Sequence, residues 1–209
     1  MMNTLQELVL ITTIVVGILS LLLAIYITRV YARKKSLPHL FWSAGLWVFT
    51  VSVMLEIAFA LNVYSAALID AYLFLVVILV ELLSLGSIQL IKNANYKKIY
   101  YAFIILVTMY AAYTIFSANQ GYLIENYVVA GLPTVPAIVS SSIATSASAA
   151  VLVIVAGMSY WKKRNNKMLS IIAGVVIVSV AGSLYIAQEP YLLYAAEFIG
   201  ILLLWIGFV

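Results

Sequence analysis

The sequence predicts an all-α integral membrane protein: a bundle of seven transmembrane helices with its N-terminus outside and its C-terminus in the cytoplasm. Three observations predict it. Of the 209 residues, 66% are hydrophobic and only 9% charged, with a mean hydropathy of +1.16, more apolar surface than a water-soluble core of this size can use. Seven apolar stretches, each near the roughly 20 residues needed to cross about 30 Å of hydrocarbon, lie between polar breaks. All eleven Lys and Arg residues fall in three alternate connections, which the positive-inside rule puts in the cytoplasm.

The first stretch runs from Leu8 to Tyr31. Met1 to Glu7 carries no Lys or Arg, so the basic n-region of a cleaved signal peptide is missing and the stretch is expected to remain as helix 1. Arg29, Arg33, Lys34 and Lys35 mark the first cytoplasmic connection, followed by Leu40 to Val63 as helix 2 and Ala71 to Ile91 as helix 3. Lys92, Lys97 and Lys98 mark the second, before helix 4 from Ile99 to Ala118. The connection from Asn119 to Val135 is the longest on the outside, and its apolar part, Tyr127 to Leu132, suits the bilayer surface, a partner, or a simple link. Helix 5 runs from Pro136 to Trp161; Lys162, Lys163, Arg164 and Lys167 form the third basic connection; helix 6 runs from Met168 to Gln188 and helix 7 from Tyr191 to Val209. The outer side carries Glu7, Asp70, Glu125 and Glu189 and no basic residue. Trp42, Trp161, Tyr26, Tyr31, Tyr100, Tyr101 and Tyr160 fall near the cytoplasmic interface and read as an aromatic belt.

Residues 1–209 form one domain with an internal repeat. Shifted by 129 residues, Tyr31 to Gly45 lies over Tyr160 to Gly174, and the register continues through helices 2 and 6, pairing Thr50 with Ser179, Leu55 with Leu184 and Ala58 with Ala187. A changed offset sets Glu81 of helix 3 over Glu197 of helix 7. The expectation is a 3+1+3 arrangement: unit one over about 8–91, a linker helix over 99–118, and unit two over about 136–209 in the same orientation. Such units are related by an axis along the membrane normal.

Three carboxylates lie inside spanning stretches: Glu56, Glu81 and Glu197. An ionisable group there costs a few kcal/mol on insertion scales and marks a candidate site. At 1.5 Å per residue they sit roughly 10, 15 and 10 Å below the outer ends of their stretches. Helices 2, 3 and 7 hold no Lys or Arg beside them, so each must be protonated, hydrogen-bonded, or facing water or a cation. Ser52, Ser84 and Tyr194 stand three or four residues from a carboxylate on the same helix face, and Tyr185 is the repeat counterpart of Glu56. These seven residues are the candidate proton- or cation-binding set. The alternative role for the acids is interhelical hydrogen bonding, worth about 0.6 kcal/mol each. In helix 5, Ser142, Ser146 and Ala150 form a row of small residues suited to close helix packing.

Several classes are excluded. No Cys is present, which removes disulfides, thiolate metal sites and thiol nucleophiles, and the lone His39 cannot supply a bis-histidine haem. No cofactor is expected. The chain has no Gly-rich phosphate loop, HExxH, GxSxG or intramembrane Asp pair, so no enzyme is expected. The pI near 9.2 reflects loops that rest on anionic headgroups, with membrane lipid and not nucleic acid as the partner.

In architecture alone the 3+1+3 pattern resembles the SWEET sugar transporters, though their Pro-Gln signature is missing; Pro38, Pro133, Pro136 and Pro190 lie in loops or at helix ends. The acids of helices 3 and 7 resemble those of the microbial rhodopsins, but helix 7 has no lysine to hold retinal. The leading expectation is a small transporter or channel of the cell membrane using Glu81 and Glu197, aided by Glu56. The other is a cofactor-free structural or accessory subunit, associated with itself or with other membrane subunits.

Overall fold

The computed structural model describes residues 4–117, 123–125, 128–129, 133–163, 167, 169–177 and 190–208. Among these are seven helical segments: α1 (Thr4–Lys34), α2 (Leu37–Ala60), α3 (Ala66–Ile88), α4 (Ala94–Ser117), α5 (Val135–Lys163), α6 (169–177) and α7 (Pro190–Phe208). α1 to α5 are long and apolar enough to cross a membrane, as in a multi-pass helical membrane protein. A short hairpin of β1 (Ile124–Glu125) and β2 (Val128–Val129) joins α4 to α5, with Ile124 opposite Val129.

Backbone chemistry rather than hydropathy sets the helix ends. Lys35 takes a left-handed conformation, φ 49°, and its N–H bonds to the Tyr31 carbonyl at 2.7 Å, closing α1. Ser36 is extended and Pro38 follows in the first turn of α2, where a missing N–H costs nothing. Two residues therefore suffice to reverse the chain. Asn62, φ 61°, ends α2 in the same way. The Ser65 hydroxyl accepts from the Leu68 N–H at 3.3 Å and caps α3. That cap starts α3 at Ala66, five residues before the Ala71 start given by hydropathy, and brings Asp70 inside the helix.

α1 packs on α2 and α7, α2 on α3, and α3 on both α4 and α5. The central core draws Val16 and Leu23 from α1, Leu46 and Phe49 from α2, Leu79 and Leu83 from α3, Leu152 from α5, Val175 from α6, and Ile201 and Leu204 from α7. The outer surface is also apolar: Ile11, Ile18, Leu106, Met109 and Tyr113 are all more than half exposed, which suits lipid and not water. With no hydrophobic force to draw helices together in lipid, close contact relies on small residues. A Cβ on Gly86 would stand 2.3 Å from Cδ1 of Trp42, and one on Gly207 would stand 2.3 Å from Cγ1 of Ile171.

The buried row of α5 is Ser140, Ala144, Ser148 and Leu152. This corrects the packing row expected at Ser142, Ser146 and Ala150, all of which are exposed. Both rows have a spacing of four, so small size alone does not choose between them. What fixes the face is partners: Thr114 for Ser140 at 2.7 Å and Tyr100 for Ser148 at 3.3 Å.

Candidate functional site

The three carboxylates are buried, and the helices divide them into two places. Glu56 of α2 accepts a hydrogen bond from the Tyr72 hydroxyl of α3 at 2.8 Å on Oε1. Glu197 of α7 lies within electrostatic reach of Glu56. Glu56 Oε2 and Glu197 Oε2 are both buried and accept no hydrogen bond from any described residue. An unmet buried carboxyl oxygen is costly, and two of them within electrostatic reach of each other have room in their chemistry for a proton, a water or a cation. Above the pair, Phe59, Ile69, Tyr72 and Leu123 form an apolar cluster that closes the hairpin end of the bundle.

Glu81 stands apart. Its Oε2 accepts from Thr108 of α4 at 2.7 Å, and its Oε1 is buried and unmet among the described residues. Along α3 it is nine residues beyond Tyr72, about 13 Å at the helical rise, so the three acids do not share one depth as the hydropathy boundaries imply. The early start of α3 is the reason. Beside Glu81, the Ser84 hydroxyl bonds to the Glu81 carbonyl at 2.7 Å and shares a 2.6 Å bond with Tyr100, which donates to Ser148 at 3.3 Å. This polar string joins α3, α4 and α5.

The neighbouring hydroxyls expected from spacing fare unevenly. Ser52 donates to the Val48 carbonyl at 3.1 Å and not to Glu56. Ser84 serves the backbone of Glu81 and the phenol of Tyr100 rather than the Glu81 carboxyl. Tyr185 and the side chain of Tyr194 lie outside the described residues. Among the described residues no three acidic or imidazole groups cluster as a metal site.

At the basic end, α1, α2, α3, α5, α6 and α7 enclose a cavity of about 490 Å³. Arg33, Lys34 and His39 stand at its mouth, and Leu83, Leu152, Val175 and Leu204 lie deeper. α4 contributes nothing to the described lining. Toward Glu56 and Glu197 lies a layer of Leu46, Phe49, Leu79, Leu83, Leu152, Val175, Ile201 and Leu204 around a second, small cavity of about 30 Å³. Glu56 lies seven residues after Phe49 and Glu197 four before Ile201, helical spacings that put the two acids on the core faces of α2 and α7 just beyond this layer. Among the described residues, the order from the basic end outward is therefore cavity, apolar layer, the two acids and apolar cap.

Comparison with protein-family models, curated proteins and solved structures found no match.

The site also uses residues that pattern reading assigned elsewhere. Trp42 and Tyr100, expected in the interfacial belt, point inward: the Trp42 indole donates to the Leu83 carbonyl at 3.2 Å and borders the cavity, and Tyr100 is buried. Tyr72 and Thr108 carried one signal, a hydroxyl in an otherwise apolar span; it is too common in membrane helices to be singled out.

Proposed function

We propose that this chain is a small proton- or cation-coupled transporter of the cell membrane, with Glu56, Glu197 and Glu81 binding and releasing the coupling ion. One observation carries the reading: two buried carboxyls with unmet oxygens lie across an apolar layer from a cavity open at the basic end. An ion site separated from a cavity by an apolar layer suits alternating access better than a continuous pore.

The proposed architecture is the 3+1+3 repeat about an axis through the cavity, with the basic connections in the cytoplasm. Its support lies in the cavity lining. The shift of 129 carries Tyr26 to Val155, Ile27 to Ala156, Val30 to Ser159 and Trp42 to Ile171, and all eight line the cavity. Gly45 and Gly174, also 129 apart, each abut the next helix in their unit, at Leu83 and at Gly200. For α3 and α7 the contacts favour a shift of 121. Gly86 abuts Trp42 and the Pro38 carbonyl, while Gly207 abuts Ile171 and the Lys167 carbonyl. Leu83 then corresponds to Leu204 and Ser87 to Phe208, all four on the cavity. Under this register Glu81 falls on Leu202 and Glu197 on Val76, so the two acids are not counterparts. Their separate surroundings agree with that.

The test is ion flux into proteoliposomes. Wild-type protein is expected to carry a pH-dependent proton or cation flux that Glu56→Gln and Glu197→Gln abolish. Wild-type vesicles no leakier than empty ones, or variants that conduct as wild type does, would sink the proposal.

A further inference from the structure

The cavity at the basic end carries an uneven distribution of chemistry. Its mouth holds Arg33 and Lys34 from the last turn of α1 and His39 from the first turn of α2. Its described lining contains no Asp or Glu. Below the mouth the walls are aliphatic and aromatic, Leu83, Leu152, Leu204 and Phe208 among them, with Ser87 and Ser159 as the small polar groups between. Trp42 and Phe208 meet there with ring centroids 5.3 Å apart. The volume of about 490 Å³ lies in the range of pockets that hold small molecules.

A ligand suited to these walls has two different ends. Its body is apolar, because a polar group pressed against the leucines loses water and gains nothing. Its charged end stays at the mouth, and that charge is negative, because two cations stand there with no described acid to offset them. We propose that this cavity is a binding site for a small water-soluble organic anion, an apolar body bearing one carboxylate-type group. The proposal deepens the transporter reading by naming a substrate class. It rests on that reading for movement across the membrane but not for binding.

Calorimetric titration of the full chain in phosphatidylcholine nanodiscs, with empty discs as blank, tests it. Three probes separate the features: phenylacetate has body and charge, phenethylamine has the body with the opposite charge, and acetate has the charge alone. Phenylacetate is expected to bind saturably at one per chain, with the other two at least about tenfold weaker, the equivalent of one good interaction lost. Arg33 and Lys34 are exposed, so Arg33→Gln with Lys34→Gln should leave the fold intact and weaken phenylacetate about tenfold or more. Lys98→Gln removes a basic charge on α4, which contributes nothing to the described lining, and should leave binding as it was. Equal binding of phenethylamine, indifference to loss of Arg33 and Lys34, or absence of saturable binding would overturn the proposal. So would displacement of phenylacetate by phosphatidylglycerol added to the discs, since the occupant would then be a lipid. The two readings fail separately. Anion binding retained without ion flux counts against the transporter alone, and flux without anion binding counts against this site alone.

Discussion

The phenol of Tyr72 donates to Glu56 Oε1 at 2.8 Å, tying α3 to α2 at a carboxyl that lies within electrostatic reach of Glu197. Tyr72 also packs edge-on against Phe59, with ring centroids 5.8 Å apart, so the phenol is held on its apolar side as well. Tyr72→Phe keeps the ring and deletes the donor. Because both Glu56 oxygens would then lack this partner in a buried place, the variant should lose about 1–3 kcal/mol. A thermal melt in mild detergent checks this, and infrared spectroscopy should show the Glu56 carboxyl band shifted in Tyr72→Phe and missing in Glu56→Gln. An unshifted band would mean that the bond contributes nothing.

Gly86 and Trp42 occupy one contact. A methyl group at 86 would lie 2.3 Å from the Trp42 ring and 3.0 Å from the Pro38 carbonyl. Gly86→Ala should therefore cost about 1–3 kcal/mol as an overpacked site. Trp42→Ala opens the space, so Gly86→Ala added to Trp42→Ala should cost much less than it does alone. Melting temperatures of the four proteins in a double-mutant cycle measure this coupling. Simple additivity would show that the two residues do not compete for the same volume.

The chain has no cysteine, so any introduced thiol is the only one in the protein. Ser159→Cys places it in the cavity wall, and Phe49→Cys places it in the apolar layer beyond. In oriented vesicles, a membrane-impermeant maleimide should label Ser159→Cys from the side of the basic connections only, and should leave Phe49→Cys unlabelled from either side. Labelling of Ser159→Cys from the opposite side would reverse the proposed orientation.

On α5, Ser140 is fully buried against Thr114, whereas Ser142 is exposed. Ser142→Leu should leave stability within about 0.5 kcal/mol. Ser140→Leu adds bulk to a packed site and removes the bond to Thr114, for a loss of about 1–3 kcal/mol. Chemical denaturation of the two variants distinguishes these faces. Equal tolerance at both positions would return the packing row to doubt.

Much of the site lay beyond pattern reading for one reason. A helix rises 1.5 Å per residue, so depth is legible only when both helix ends are known. Ser65 caps α3 five residues early and moves Glu81 well below Glu56. Direction round the helix was equally open, because an apolar span in lipid shows no amphipathic contrast between its lipid face and its core face. The paired rows on α5, the inward turn of Trp42 and the choice of Tyr72 and Thr108 as carboxyl partners all depend on it.

The sequence by itself determined the solvent, the helical class and the presence of buried acids. Those properties follow from composition and run length, since about 20 apolar residues in a row have few other stable places to lie. Only the tertiary structure decided which acids are neighbours. Glu56 and Glu197 lie 141 positions apart in the chain and come within electrostatic reach of each other because α1 carries both α2 and α7 on its flanks. Glu81 faces α4 on the other side of α3. Identical side chains on similar apolar spans differ in surroundings because helix rotation and partner choice are set by packing between helices, a non-local property that no single span contains.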